Sequence, residues 1–133
     1  MPLGGYALLA LVRELLPAHV EQADGAVLTA QGASSIQGLP NMSRPGPARA
    51  VQRNYLQSLH AEVGDKGVYV AQLYVGAAIQ HSAFCAEMQP QRPPGRPFPE
   101  MPIADPAHLA DLLWIMYVTK TPEATYPQGL FDR

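Results

Sequence analysis

The side chains best suited to chemistry are Ser34, Ser35, Arg49 and His81. Adjacent hydroxyls can supply a nucleophile or contact an anion, a guanidinium can hold an acidic group, and an imidazole can move a proton near neutral pH. The local patterns do not single out one reaction. Gly-x-Ser-x-Gly, which sets a nucleophilic serine on a sharp turn, is absent, so loop capping competes as the role of the two serines. His81 and Cys85 stand at an i, i+4 spacing, which admits a thiol activated by an imidazole, but an ordinary partly buried thiol is the favoured explanation of the pair. The four histidines, His19, His60, His81 and His108, show no ligand spacing. No second Cys/His cluster exists, and no metal site is expected. Arg44, Arg49 and Arg53 gather near one helix start, as an acidic-ligand site or a solvated face would.

These residues need elements to position them. Leu8, Leu9, Leu11, Val12, Leu15 and Leu16 recur with helical spacing over 6–17, and Pro17 reads as the stop. A polar connection from His19 to Gly25 leads to Ala26–Ala30, a short apolar run that reads as a buried strand. Gly32 to Pro47 is rich in Gly, Ser, Asn and Pro, hence a loop. Val51, Tyr55, Leu59 and Val63 restore the helical period over 48–63, ending at Gly64. Residues 67–75 form a second strand, β-branched and aromatic. Pro90, Pro93, Pro94, Pro97, Pro99 and Pro102 exclude helix and central strand, so 89–104 is expected as an extended, lid-like loop. It contains Pro90-Gln91-Arg92-Pro93, a possible PxxP ligand. Asp105-Pro106 opens a helix through Leu109, Leu112, Leu113 and Met116, and Thr125-Tyr126 can add an edge strand. Strands alternating with helices imply an α/β fold with parallel pairing.

Composition bounds the function. The 133 residues fit one domain, 1–133, and are 47% apolar, enough for a core. A net charge of -2 and a pI near 6.0, with no basic stripe, give no reason to expect nucleic acid or an anionic membrane. The apolar stretch from Tyr6 to Leu16 is interrupted by Arg13 and Glu14, too short to span a bilayer and unlike a signal peptide. The single cysteine excludes an internal disulfide and suits a reducing cytoplasm.

Taken in order, these segments resemble the C-terminal half of a short-chain dehydrogenase/reductase. Gly4 to Pro17 looks like the helix after that family's fourth strand, commonly closing on Leu-Leu-Pro. Gly25 to Ala30, with Ser34-Ser35 and Gly38-Leu39-Pro40 behind, resembles the fifth strand and the loop of the catalytic serine. The helix Ala50 to Val63 resembles the one bearing Tyr-x-x-x-Lys. Gly67 to Val70, then Val75-Gly76, resembles the sixth strand and its Pro-Gly motif, and Asp105-Pro106 through Trp114 resembles the late acidic-Pro helix. The resemblance implies a partial Rossmann-like, doubly wound, three-layer half-fold with a small parallel sheet.

The resemblance also shows what is replaced. Anchored on Pro40, the tyrosine position falls on Pro45, the lysine position on Arg49 and the serine position on Gly32, with Ser34 and Ser35 out of register. Proline has nothing to ionise, and arginine cannot give up a proton. No Gly-x-Gly-x-x-Gly occurs to meet a pyrophosphate at a helix N-terminus, and Gly4-Gly5 follows no strand. Gly76 and Ile79 resemble a remnant of the nicotinamide-side loop. The expectation is therefore a non-redox binding or assembly protein that takes no cofactor by itself. An NAD(P)-dependent oxidoreductase is the alternative, if the missing half is supplied. A non-redox enzyme reusing a pocket of Ser34, Ser35, Arg49 and His81 is the third reading. A homodimer or partner contact is expected through helices 6–17 and 48–63, since the family's corresponding helices form its main dimer contact.

Overall fold

A computed structural model describes residues 6–88 and 102–131. Helix α1 (Ala7–Gln22) leads into strand β1 (Gly25–Gly32), and a single 3-10 turn over Ala33–Ser35 follows. Next come helix α2 (Pro45–Val63), strand β2 (Val68–Val75) and a two-residue strand β3 (Ala78–Ile79). Short helix α3 (Ala83–Met88), strand β4 (Ile103–Ala104), helix α4 (Pro106–Thr119) and strand β5 (Glu123–Tyr126) complete the order.

The main sheet runs β1-β2-β5, all parallel, and β3 pairs in parallel with β4. Gly25 stands opposite Val68 and Gly32 opposite Val75, so the register is unbroken over the whole of β1. That register sends alternate residues to opposite layers. Val27, Val68 and Val70 meet Val12 of α1 and Leu56, Leu59 and Val63 of α2 on one face. Ala26, Tyr69, Ala71, Leu73 and Val75 meet Leu109, Met116 and the rest of α4 on the other. Every residue of β2 is buried, as expected of a central parallel strand covered on both faces. The architecture is three-layered α/β/α, and among the described residues β1 has one strand neighbour, β2.

Three sequence expectations change. Pro17 does not stop the first helix, which continues to Gln22. An interior proline forfeits one backbone bond and costs about 3 kcal/mol, but Leu16 and Val20 on either side of it pack against the α1/α2 core and hold the turn. The second helix starts at Pro45, because prolines in the first turn lack only donors that a helix end leaves idle anyway. The expected loop over 89–104 is entered by α3 and closed by β4, which takes its backbone bonds from β3. Residues 89–101, including Pro90 to Pro93, lie outside the described residues.

One signal reads as expected, and one glycine that was read into the second strand instead precedes it. Asp105 caps α4, accepting from the Ala107 amide at 2.9 Å, with Pro106 in the first turn. Gly67 has φ +82°, and a Cβ there would run into the Ala23 carbonyl. The residue pins the entry to β2 beside the end of α1, where only glycine fits without strain.

Candidate functional site

The carboxyl ends of β1 and β2 meet the first turns of α2, and there the predicted residues divide. The Arg49 Nη1 donates to Ser34 Oγ at 3.0 Å. Ser35 Oγ donates to the Gly32 carbonyl at 2.9 Å, which tightens the turn after β1. The 3-10 turn buries both serines, leaving them 7% and 3% exposed. Arg49 also fills the space beside Gly32: a Cβ there would lie 2.8 Å from Nη1. The residues at 32 and 49 thus face one another directly, while Pro45 heads α2 with no polar side-chain atom.

Next to this contact lies an open cleft of about 370 Å³, lined by Ser34 and Ser35, by Ile36 to Leu39, and by Met42, Gly46, Pro47 and Ala50 among others. Its size falls within the range of small-molecule sites. His81 does not join it. That imidazole is exposed, in a left-handed turn after β3, and no hydrogen bond among the described residues ties it to Ser34, Ser35 or Arg49. Cys85 is buried in α3, and its amide donates to Ser82 Oγ at 3.1 Å. Among the described residues no three or more His, Cys, Asp or Glu side chains are grouped to hold a metal ion.

Gly76 and Ile79 lie just past β2. The Gly76 amide donates to the Tyr126 carbonyl at 2.7 Å, and the Leu130 side chain occupies the space a Cβ at Gly76 would need. Ile79 pairs with Ala104 and packs on the α4-side core. The C-terminal segment therefore covers Gly76 and uses its donor.

A second polar cluster, one helical turn from Arg49, carried no motif. Gln31 Nε2 donates to Gln72 Oε1 at 2.7 Å, and Gln72 Nε2 donates to the Arg53 carbonyl at 3.2 Å. The Arg53 guanidinium lies 5.8 Å from the centre of the Tyr74 ring, and the Tyr74 hydroxyl donates to Glu123, which also accepts from Gln57 at 2.9 Å. Burial first, then the Glu123 carboxylate, pushes the Tyr74 hydroxyl well above its ordinary value, so it is a poor source of phenolate. Gln31 Oε1 and Arg53 Nε are sealed from solvent without partners. The one sequence signal was the alternation Val68, Val70, Gln72, Tyr74, which puts two polar residues on the face that α2 covers.

The chain folds like a "Short-chain dehydrogenase from Sphingobium yanoikuyae in complex with NADPH", with a TM-score of 0.77 over 94% of its length at 19% identity. The fold is that of part of a short-chain dehydrogenase. A second likeness at 20% identity, TM-score 0.69 and 92% coverage is to the bulky-bulky ketone specific alcohol dehydrogenase from Comamonas testosteroni. A short-chain dehydrogenase from Streptomyces avermitilis gives 0.66 over 86% at 20% identity. The chain spans less than half of these structures, 46%, 43% and 46% respectively. No protein-family model and no curated protein matches its sequence. No helix among the described residues is long and apolar enough to cross a membrane.

Proposed function

We propose that this short-chain-dehydrogenase-like chain, corresponding to the C-terminal half of the fold, works by binding and assembly rather than by hydride transfer. The carrying observation is the Gly32–Arg49 juxtaposition. The positions that the resemblance gives to serine and lysine face each other, yet they hold a glycine and a guanidinium bonded to Ser34, with Pro45 at the tyrosine position. That set contains no group able to exchange a proton near neutral pH.

A dinucleotide does not fit these residues. The Gly76 amide is already used by Tyr126, Leu130 lies over it, and the sequence holds no Gly-x-Gly-x-x-Gly turn to receive a pyrophosphate. In this reading the chain takes no cofactor by itself and acts in the cytoplasm. It assembles as a homodimer or on a partner chain through α1 and α2, where Leu11, Leu15 and Val51 stand exposed beside the half-buried Tyr55.

A second reading is an NAD(P)-dependent oxidoreductase completed by a further segment. The open parallel edge of β1 favours it, since such strands are ordinarily paired on both sides. A non-redox enzyme using Ser34, Ser35, Arg49 and His81 is the weakest reading, because no hydrogen bond among the described residues ties His81 to the other three. The assay that decides is carbonyl reduction with NADPH by the native chain and by Pro45→Tyr/Arg49→Lys. Neither is expected to turn over, and turnover by either overturns the proposal.

A further inference from the structure

Two guanidiniums one turn apart on α2 differ in how their charge is met. Arg53 lies over Tyr74, whose hydroxyl leads to the Glu123 carboxylate. Arg49 meets only the neutral Ser34 hydroxyl, and no ion pair to a carboxylate reaches it among the described residues. It is half-buried at the base of α2. A cation partly withdrawn from water and left without a counter-charge is unfavourable, and a guanidinium keeps its charge at every ordinary pH.

The surroundings specify what would complete it. Ser34 accepts from Arg49, so its own O–H proton remains free to donate, and the residue opens on the 370 Å³ cleft. Ser35 cannot compete for the same role, its proton being committed to the Gly32 carbonyl. Pro45 and Pro47 remove two amide donors from the start of α2, and Arg49 stands beside the cleft, joined to it through the cleft-lining Ser34. A planar fork of N–H groups matches a planar carboxylate, and Ile36, Leu39, Met42 and Pro47 give the rest of the cleft an apolar wall.

We propose that Arg49 and Ser34 form the head-group site for a small carboxylate whose apolar remainder lies in the adjoining cleft. This rests on the binding reading above and names its ligand class. The test is calorimetric titration of the chain with hexanoate, with neutral hexanamide, and with inorganic phosphate. Hexanoate binds more tightly than hexanamide by about tenfold or more, as a charge-assisted pair requires, and phosphate does not displace it. Arg49→Gln abolishes the preference, and Ser34→Ala weakens the acid more than the amide. The comparison of acid with amide on the native chain stands even if Arg49→Gln does not fold. Equal affinity for acid and amide, binding of neither, displacement by phosphate, or a preference that survives Arg49→Gln overturns the proposal. Dinucleotide binding in a parallel titration would remove the non-redox reading and leave this result standing, so the two failures are distinguishable.

Discussion

Arg49 reaches back from α2 to donate to Ser34 at 3.0 Å, and in doing so occupies the room that a side chain at Gly32 would take. One contact thus ties the turn after β1 to the helix that follows, at the end of the sheet where ligands of doubly wound folds collect. A double-mutant cycle on Arg49→Gln and Ser34→Ala, read by urea unfolding, is expected to give a coupling of about 1 kcal/mol. Additive effects would mean the pair is a neighbour contact without energetic weight.

Gly67→Ala should lower stability by about 1–3 kcal/mol, since the new Cβ meets the Ala23 carbonyl in a left-handed backbone. The urea midpoint falls with an unchanged slope. A neutral result would place the end of α1 elsewhere.

High pH should destabilise the fold through Tyr74. Its hydroxyl is held above the ordinary value by burial and by Glu123. Above about pH 10 the unfolded chain loses the proton while the folded one keeps it, so stability present below that value declines as pH rises. Tyr69, raised by burial alone, contributes with the same sign. Tyr74→Phe should flatten the decline between pH 9 and 11 relative to the native chain, measured by unfolding at each pH.

How far the sequence revealed this arrangement depended on whether the signal was periodic. The β-branched run of β2 and the Asp105-Pro106 cap are local, and both were legible. Pro17 misled because proline reports the loss of one hydrogen bond and says nothing of the packing of Leu16 and Val20 that outweighs it. The pairing of β3 with β4 was hidden, since two-residue strands have no period and their partners lie far apart in the chain. Ser34, Ser35 and Arg49 were identifiable by type, but the 3-10 turn that swings Ser34 onto Arg49 was not. His81 shares only residue chemistry with them: it does not line the cleft, and no hydrogen bond among the described residues ties it to the other three.

Light scattering at micromolar concentration should report a mass above the 14.4 kDa of one chain. Leu11 is 57% exposed on α1, and Leu15 and Val51 widen the same kind of surface. Burial of more than about 1,200 Å² is expected at the seam. Leu11→Glu should dissociate the assembly, and a cooperatively unfolding monomer of the native chain would contradict it.

Isothermal titration with NAD(H) and NADP(H) tests the central claim most directly. The chain should show no dissociation constant tighter than about 100 μM, roughly −5.5 kcal/mol, because Gly76 is covered by Leu130 and the sequence holds no Gly-x-Gly-x-x-Gly turn to receive the phosphates. Saturable binding of either dinucleotide below that concentration would contradict the account.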